Sequence, residues 1–316
     1  MKFKLNQNIA TFIDVSHVLG TFEIDEPIEK FIEKNTTTYL VRKHDQSCRE
    51  IIVPSLKLKT IQKWLVKNIL GNVSISESAH GFVKGKSIMT NVQSHIHSTD
   101  NWLMRIDIKN FFPSISSESV SLIFEKLGYP RDVSRILSNL CTKDGKLCQG
   151  FSTSPVLANI YMIEFDSKLN SVIEKQNYEY NLVYTRYADD IIVSGLKISG
   201  YIKIVRDIRD DVEKILAESN LMINKRKTSI QKKERKKITG LYIENNNIIL
   251  SNSYLKKFDS EIYYCRKYGV LSHLRYHNIL GISNFKGYMY GKAAFIKMVN
   301  PSLGKQFKKK LDLLDW

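Results

Sequence analysis

The feature that most limits what this chain can fold into is a pair of adjacent acids set between two apolar runs. It reads Tyr184-Thr185-Arg186-Tyr187-Ala188-Asp189-Asp190, then Ile191-Ile192-Val193-Ser194-Gly195. Runs rich in β-branched and aromatic residues on either side of a short polar interruption predict a hairpin with the acids at its turn. Hairpin turns favour Gly and Asn, so a turn of Ala-Asp-Asp calls for a chemical reason. Neighbouring carboxylates repel, and a cation is needed to offset that. A pair of divalent ions about 4 Å apart, of the kind that clamps the attacking and leaving oxygens in phosphoryl transfer, would do so. Mg2+ takes carboxylate oxygens together with substrate phosphates. The competing reading is a solvated surface turn, and a third carboxylate in the right setting decides between the two.

That third acid is Asp107. Leu103-Met104-Arg105-Ile106-Asp107-Ile108 predicts a strand carrying one carboxylate in an apolar setting, which is costly unless the acid is paired or metal-bound. A core salt bridge is the alternative. Around these strands the periodicity predicts a helix over 27–34, extended runs over 38–42 and 49–54, and a helix from Leu56 to Leu70 ended by Gly71. His80–Val83 reads as short and extended. Helices follow over 117–127 and 130–141, the second with Pro130 at its first position. The loop Gln149-Gly150-Phe151-Ser152-Thr153-Ser154-Pro155 opens a long helix from Val156 to about Gln176. Such a loop can turn backbone N–H groups toward phosphate, or simply cap the helix. A helix over 201–217, strands over 221–224 and 238–243, and helices from Ser253 complete the pattern.

The 316 residues are enough for two domains or for one with an appendage. No apolar run is long enough to span a membrane, and Met1–Asn6 lacks the apolar core of a signal peptide, so a cytoplasmic location is expected. Cys48, Cys141, Cys148 and Cys265 lack the spacing of a zinc site or a disulfide framework. The net charge of +16 is unevenly placed: from Lys225 onward there are 20 Lys and Arg against 6 Asp and Glu. A basic block of this kind is the footprint of a polyanion. With no long basic amphipathic helix to suit a membrane surface, nucleic acid is the expected partner. The composition shift near Lys225–Lys237 is the one plausible domain boundary.

The order of strand acid, Gly-Ser loop with helix, and Tyr-Ala-Asp-Asp hairpin resembles the palm of a reverse transcriptase over about residues 39 to 245. Asp107 with Phe111-Phe112, Gln149-Gly150 with Ser154-Pro155, and Asn224 with Lys227 match its motifs. Arg49, Pro54, Leu58, Lys59 and Trp64 resemble its fingers. Asn91-Val92-Gln93-Ser94-His95 resembles the Asn-Ala-x-x-His element of bacterial retron reverse transcriptases, and Ile238-Thr239-Gly240 their Val-Thr-Gly element. Phe151 stands where a small residue is expected.

The resemblance implies an α+β right-hand polymerase. Fingers and palm, with an antiparallel sheet, would occupy 1–237, and a basic helical thumb 238–316. It implies that Asp107 and Asp189, with Asp190 in support, hold two Mg2+ ions, for which Mn2+ could substitute. Ile108, Phe111, Phe112, Gln149, Gly150, Arg49 and Lys227 would meet the deoxynucleotide. Phe112 would clash with a 2′-OH, although core packing is its alternative and Phe111 could serve either role. Asn91, His95, Thr239, Gly240, Lys256, Lys257, Arg266, Lys267 and Arg275 would contact RNA, with tail tyrosines such as Tyr263, Tyr264 and Tyr268 suited to stacking on unpaired bases. The implied partners are a cognate structured non-coding RNA and its cDNA, dNTPs and a separate anti-phage effector protein. Priming from a 2′-OH of that RNA would leave a branched RNA–DNA hybrid, and trimming of the template would fall to another protein. Two alternatives remain: a group II intron-like enzyme with a 3′-OH primer, and an RNA-binding scaffold with a vestigial site.

Overall fold

A computed structural model describes residues 3–42, 48–97, 100–276 and 284–316; residues 1 and 2 of the N-terminal stretch read above lie outside it. Asp14 caps α1 (Val15–Thr21) by accepting from the His17 amide, and α2 (Ile28–Lys34) follows Pro27. The two extended runs pair as an antiparallel ribbon, β1 (Thr36–Arg42) with β2 (Cys48–Pro54). Ser55 then caps α3 (Leu56–Asn68), which buries Leu58, Ile61 and Leu65 at helical spacing. The stretch read as extended at His80–Val83 is a turn, with Phe82 at φ +61°. A reciprocal Ser87–Thr90 capping box opens α4 (Ile88–Gln93).

Strand β3 spans Asn101–Asp107. Helices α5 (Ser117–Lys126) and α6 (Arg131–Cys141) come next, and Pro130 is the cap of α6 rather than its first residue. A small hairpin, β4 (Thr142–Lys143) with β5 (Lys146–Leu147), leads into the 149–153 loop. The long helix predicted from Val156 is two, α7 (Ser154–Tyr161) and α8 (Ile163–Tyr180), broken at the buried Met162. The acidic hairpin is β6 (Val183–Tyr187) with β7 (Asp190–Leu196), and α9 covers Tyr201–Glu218. The strand expected over 221–224 reduces to one bridge, Ile223 to Ile108.

After β8 (Ser229–Gln231), the run expected as a single strand over 238–243 is a hairpin, β9 (Lys236–Ile238) with β10 (Leu241–Glu244). Thr239 at φ +44° and Gly240 at φ +90° make its turn, the pair of positive φ values that a tight two-residue connection needs. Strand β11 (Asn247–Ile249) completes this small sheet. Among the described residues, four helices finish the chain: α10 (Asn252–Tyr268), α11 (Val270–Tyr276), α12 (Phe285–Val299) and α13 (Pro301–Asp312).

The central sheet has the order β6-β7-β3-β8 with antiparallel neighbours. Strand alternation gives its two faces different work. Trp102, Met104 and Ile106 of β3 and Ile191 and Val193 of β7 pack into the main core with Leu157, Phe165, Ile208 and Val212 from α7, α8 and α9. The intervening residues point the other way. Leu103 and Ile192 join Val92 of α4 in a second core with Ile238, Leu241, Phe258, Met289, Ile296 and Phe307. Asp107 and Asp190 lie further along that same face.

Candidate active site

Sheet register brings the three acids together. Asp107 ends β3 directly opposite Asp190 at the start of β7, a pairing that sets Cβ atoms about 5 Å apart. The Ile108 amide donates to the Asp189 carbonyl at 3.0 Å, which fixes the turn beside the strand end. Asp107 is nearly buried and accepts from Asn224 Nδ2 at 2.9 Å and Lys227 Nζ at 3.2 Å. The Asn224 amide also donates to the Asp107 carbonyl at 2.7 Å, so the segment after α9 is stitched to the strand carrying the first acid. Arg105 Nε stands 3.1 Å from Asp190 Oδ1, but neither atom completes a hydrogen bond.

Burial of the carboxylates dominates the electrostatics. Burial pushes the Asp190 carboxyl up to about 6; Arg105 pulls against this, while Asp189 and Asp107 add to it. Burial raises Asp189 as well, reinforced by Asp107 and opposed by Lys227 and Arg49. Among the described residues no three acidic, His or Cys side chains converge as a ready metal cage. Asp107 is turned to Lys227, and Asp190 to Arg105. The donor set nonetheless suits a hard divalent cation: carboxylate oxygens on adjoining strands, one of them, Asp190 Oδ1, buried without a hydrogen bond.

Comparison with known proteins agrees with this geometry. The family model described as "Reverse transcriptase (RNA-dependent DNA polymerase)" matches residues 41–243. The retron Ec86 reverse transcriptase of Escherichia coli is 34% identical over 234 residues, covering 73% of this chain and 70% of that protein. The chain belongs to the bacterial retron-type reverse transcriptases. The retron Ec73 enzyme of the same species is 34% identical over 176 residues, covering 53% of this chain and 55% of its own length. The retron Mx65 enzyme of Myxococcus xanthus is 25% identical over 98% of this chain and 71% of that protein. In fold, the chain is similar to the telomerase of Candida albicans solved with a fragment of telomeric RNA. The TM-score is 0.51 at 13% identity, over 92% of this chain and 58% of that one. This retron-type reverse transcriptase is therefore an RNA-directed DNA polymerase with an α+β polymerase fold.

The residues expected to meet a nucleotide divide in two. Arg49, exposed on β2, is near enough to Asp189 to bias its ionisation. Gln149 is half-buried, and its carbonyl accepts from the Ile52 amide at 2.8 Å, tying the β1–β2 ribbon to the loop before α7. Gly150 has φ +116°, and a Cβ there would lie 2.3 Å from the Ile52 carbonyl oxygen, so the close approach requires glycine. Lys227 is half-exposed beside Asp107. Phe112 is half-buried against Phe82 and Phe111 in the reverse transcriptase. Ile108 and Phe111, by contrast, are buried in the main core. Phe151 is buried there too, which explains a bulky residue at that position.

The expected RNA contacts divide as well. Lys256, Lys257, Arg266, Lys267 and Arg275 are exposed on α10 and α11. Lys267 lies over the rings of Tyr263 and Tyr268. Gly240 is exposed at the β9–β10 turn, while the Thr239 hydroxyl is buried without a partner. Asn91 and His95 are buried. His95 bonds Ser194 through Nδ1 and Thr185 through Nε2, each at 2.7 Å, and Thr185 donates to Asn91 Oδ1 at 2.7 Å. Their spacing serves to seat α4 and the turn after it on the acidic hairpin.

Arg186, Asp166, Asn159 and Gly81, none of them among the expected site residues, converge beneath the acidic turn. The cue available was an arginine inside a run otherwise destined for burial.

Proposed function

We propose that this polymerase copies a cognate structured non-coding RNA, starting from a 2′-OH of that RNA and leaving a branched RNA–DNA hybrid. In this reading Asp107 and Asp189, with Asp190 alongside, hold two divalent ions, Mg2+ by the oxygen-only donor set. The chemistry such ions supply is activation of the primer hydroxyl and neutralisation of charge on the departing pyrophosphate. Lys227 shares Asp107 in their absence and is free to meet the triphosphate once Asp107 is engaged. Phe112 excludes ribonucleotides by bulk. The fingers and palm run to about residue 237, and the helices beyond form a basic thumb whose exposed cations and tyrosines grip RNA and product. The observation that carries the reading is Asp107 facing Asp190 across β3 and β7 beside Asp189, in a chain similar to retron reverse transcriptases.

The test is to co-purify the protein with its nucleic acid and sequence the 5′ end of the cDNA. A 2′–5′ branch to RNA is expected; a linear cDNA from a 3′-OH primer would show group II intron-like priming instead. Asp189→Asn should abolish cDNA, and unchanged yield would leave only a scaffold role. An anti-phage role beside a separate effector is proposed as well. It predicts that phage plating rises to the level of an empty host when Asp189→Asn replaces the native residue.

A further inference from the structure

On the core side of the central sheet, beneath the turn that carries Asp189 and Asp190, lies a buried polar cluster with no part in the chemistry above. Arg186 and Asp166 are both fully buried. Arg186 Nε donates to Asp166 Oδ1 at 2.9 Å and Nη2 to Oδ2 at 2.7 Å, and the Tyr184 hydroxyl donates to Oδ1 at 2.6 Å. The third guanidinium nitrogen, Nη1, is shared between Asn159 Oδ1 at 2.9 Å and the Ala188 carbonyl at 3.3 Å. Asn159 Nδ2 in turn donates to the Gly81 carbonyl at 2.8 Å. Backbone bonds from His80 N to Arg186 O and from Arg186 N to Ser78 O, each 2.7 Å, lay the 78–81 segment along β6. A Cβ on Gly81 would stand 2.5 Å from the Ala188 amide nitrogen.

An apolar pair of similar volume would hold β6 to α7 and α8 as well or better, because removing two charges from water is costly. Such a pair could not reach a backbone carbonyl. That carbonyl belongs to Ala188, which at φ +56° occupies the left-handed region that a residue with a Cβ adopts only when its surroundings impose it. Arg186 holds the turn at its carbonyl, and Gly81 closes against its amide.

We propose that Arg186, aimed by Asp166 and Asn159, is a positioning residue that locks the Ala188 turn and thereby sets Asp189 and Asp190 against Asp107, with Gly81 as the backstop. This rests on the reading of those acids as the ion-holding set. Three observations converge on it: the two-pronged pair fixes the guanidinium, its remaining nitrogen bridges Asn159 and the turn, and the turn is strained.

The decisive variant is Asn159→Ala, which removes one bond to Arg186 and one to Gly81 while leaving the Arg186–Asp166 pair whole; Asn159→Ser replaces it should the alanine variant not fold. Melting temperature, RNA affinity, kcat and KM for dNTP, and binding of Mn2+ to the protein with template–primer, followed by the spin resonance of free Mn2+, are measured together. Expected are a folded protein with unaltered RNA affinity, kcat down about 100-fold, KM within about threefold and Mn2+ binding weakened about tenfold. Adding Ala188→Gly, which removes the cost of the left-handed turn, should recover about tenfold in kcat. A folded variant with wild-type kcat and Mn2+ affinity would overturn the proposal, as would a loss that Ala188→Gly leaves unrelieved. Asp189→Asn is run in parallel: if it stays active, the assignment of the acids fails, whereas an inactive Asp189→Asn beside a wild-type Asn159→Ala sinks only the positioning role.

Discussion

Asp190 and the histidines on the open face of the central sheet respond to acid in opposite senses. Burial raises Asp190 to about 6, above its value in an unfolded chain, so its ionisation opposes folding above that pH and the penalty fades as pH falls toward 4. Burial lowers His80 to about 4 and His95 to about 3, and lowers His97 as well. Their stabilising contribution is whole above 6.5 and is lost as pH drops through the folded values, because the unfolded chain takes up protons that the folded one refuses. Three lowered histidines stand against two raised acids, Asp189 and Asp190, so metal-free protein should lose stability between pH 7 and 4, read from urea melts at each pH. Asp190 should show itself in a different measurement. The Mg2+ concentration for half-maximal cDNA synthesis should climb about tenfold for each unit below pH 6, and a flat response would remove Asp190 from the ion site.

At the scale of elements, the acidic hairpin is held from both sides, and its upper support is α4 with the turn that follows. His95→Ala would take one partner from each of the Thr185 and Ser194 hydroxyls, which keep Asn91 Oδ1 and His97 Nε2, and would open a cavity, at about 3 kcal/mol in all. RNA affinity of the protein that remains folded should be unchanged; a drop would restore His95 as an RNA contact. Where the β1–β2 ribbon meets the loop before α7, Gly150→Ala drives a methyl into the Ile52 carbonyl, and the KM for dNTP should rise about tenfold with kcat less affected. Much of this arrangement was legible in the sequence. Acids interrupting β-runs marked Asp107 and Asp189-Asp190, and apolar spacing marked α3, α5, α6 and α9. What escaped was tertiary. Arg186 reads as a lone cation until Asp166, in a different element, is seen to meet it. Ile238-Thr239-Gly240-Leu241-Tyr242-Ile243 reads as one strand because a two-residue turn leaves the apolar alternation intact on either side. Nothing local tells that Gly81 abuts Ala188, since close backbone approach leaves no pattern.

For the whole molecule, the concentration of positive charge after Lys225 makes RNA binding an ionic-strength problem. Each phosphate contact removed should flatten the slope of log affinity against log salt by about 0.7 to 0.9. Neutralising Lys256 and Lys257 together should therefore reduce it by about 1.5, measured by filter binding across a salt series. Tyr264→Ala should weaken binding of an unpaired segment by about 1–3 kcal/mol without altering the slope, because a stacked base brings no counterions. A slope untouched by the lysine changes would place the RNA on another surface.

Leu103 and Ile192 are rooted in the C-terminal core rather than the main one, so α10 to α13 do not dangle from a tether. They are fastened through β3 and β7 to the very strands that end in Asp107 and begin with Asp190. Any force that shifts those helices outward would be borne by both strands. Loosening that core at Leu103 or Ile192 is therefore expected to disturb the acids that the two strands carry.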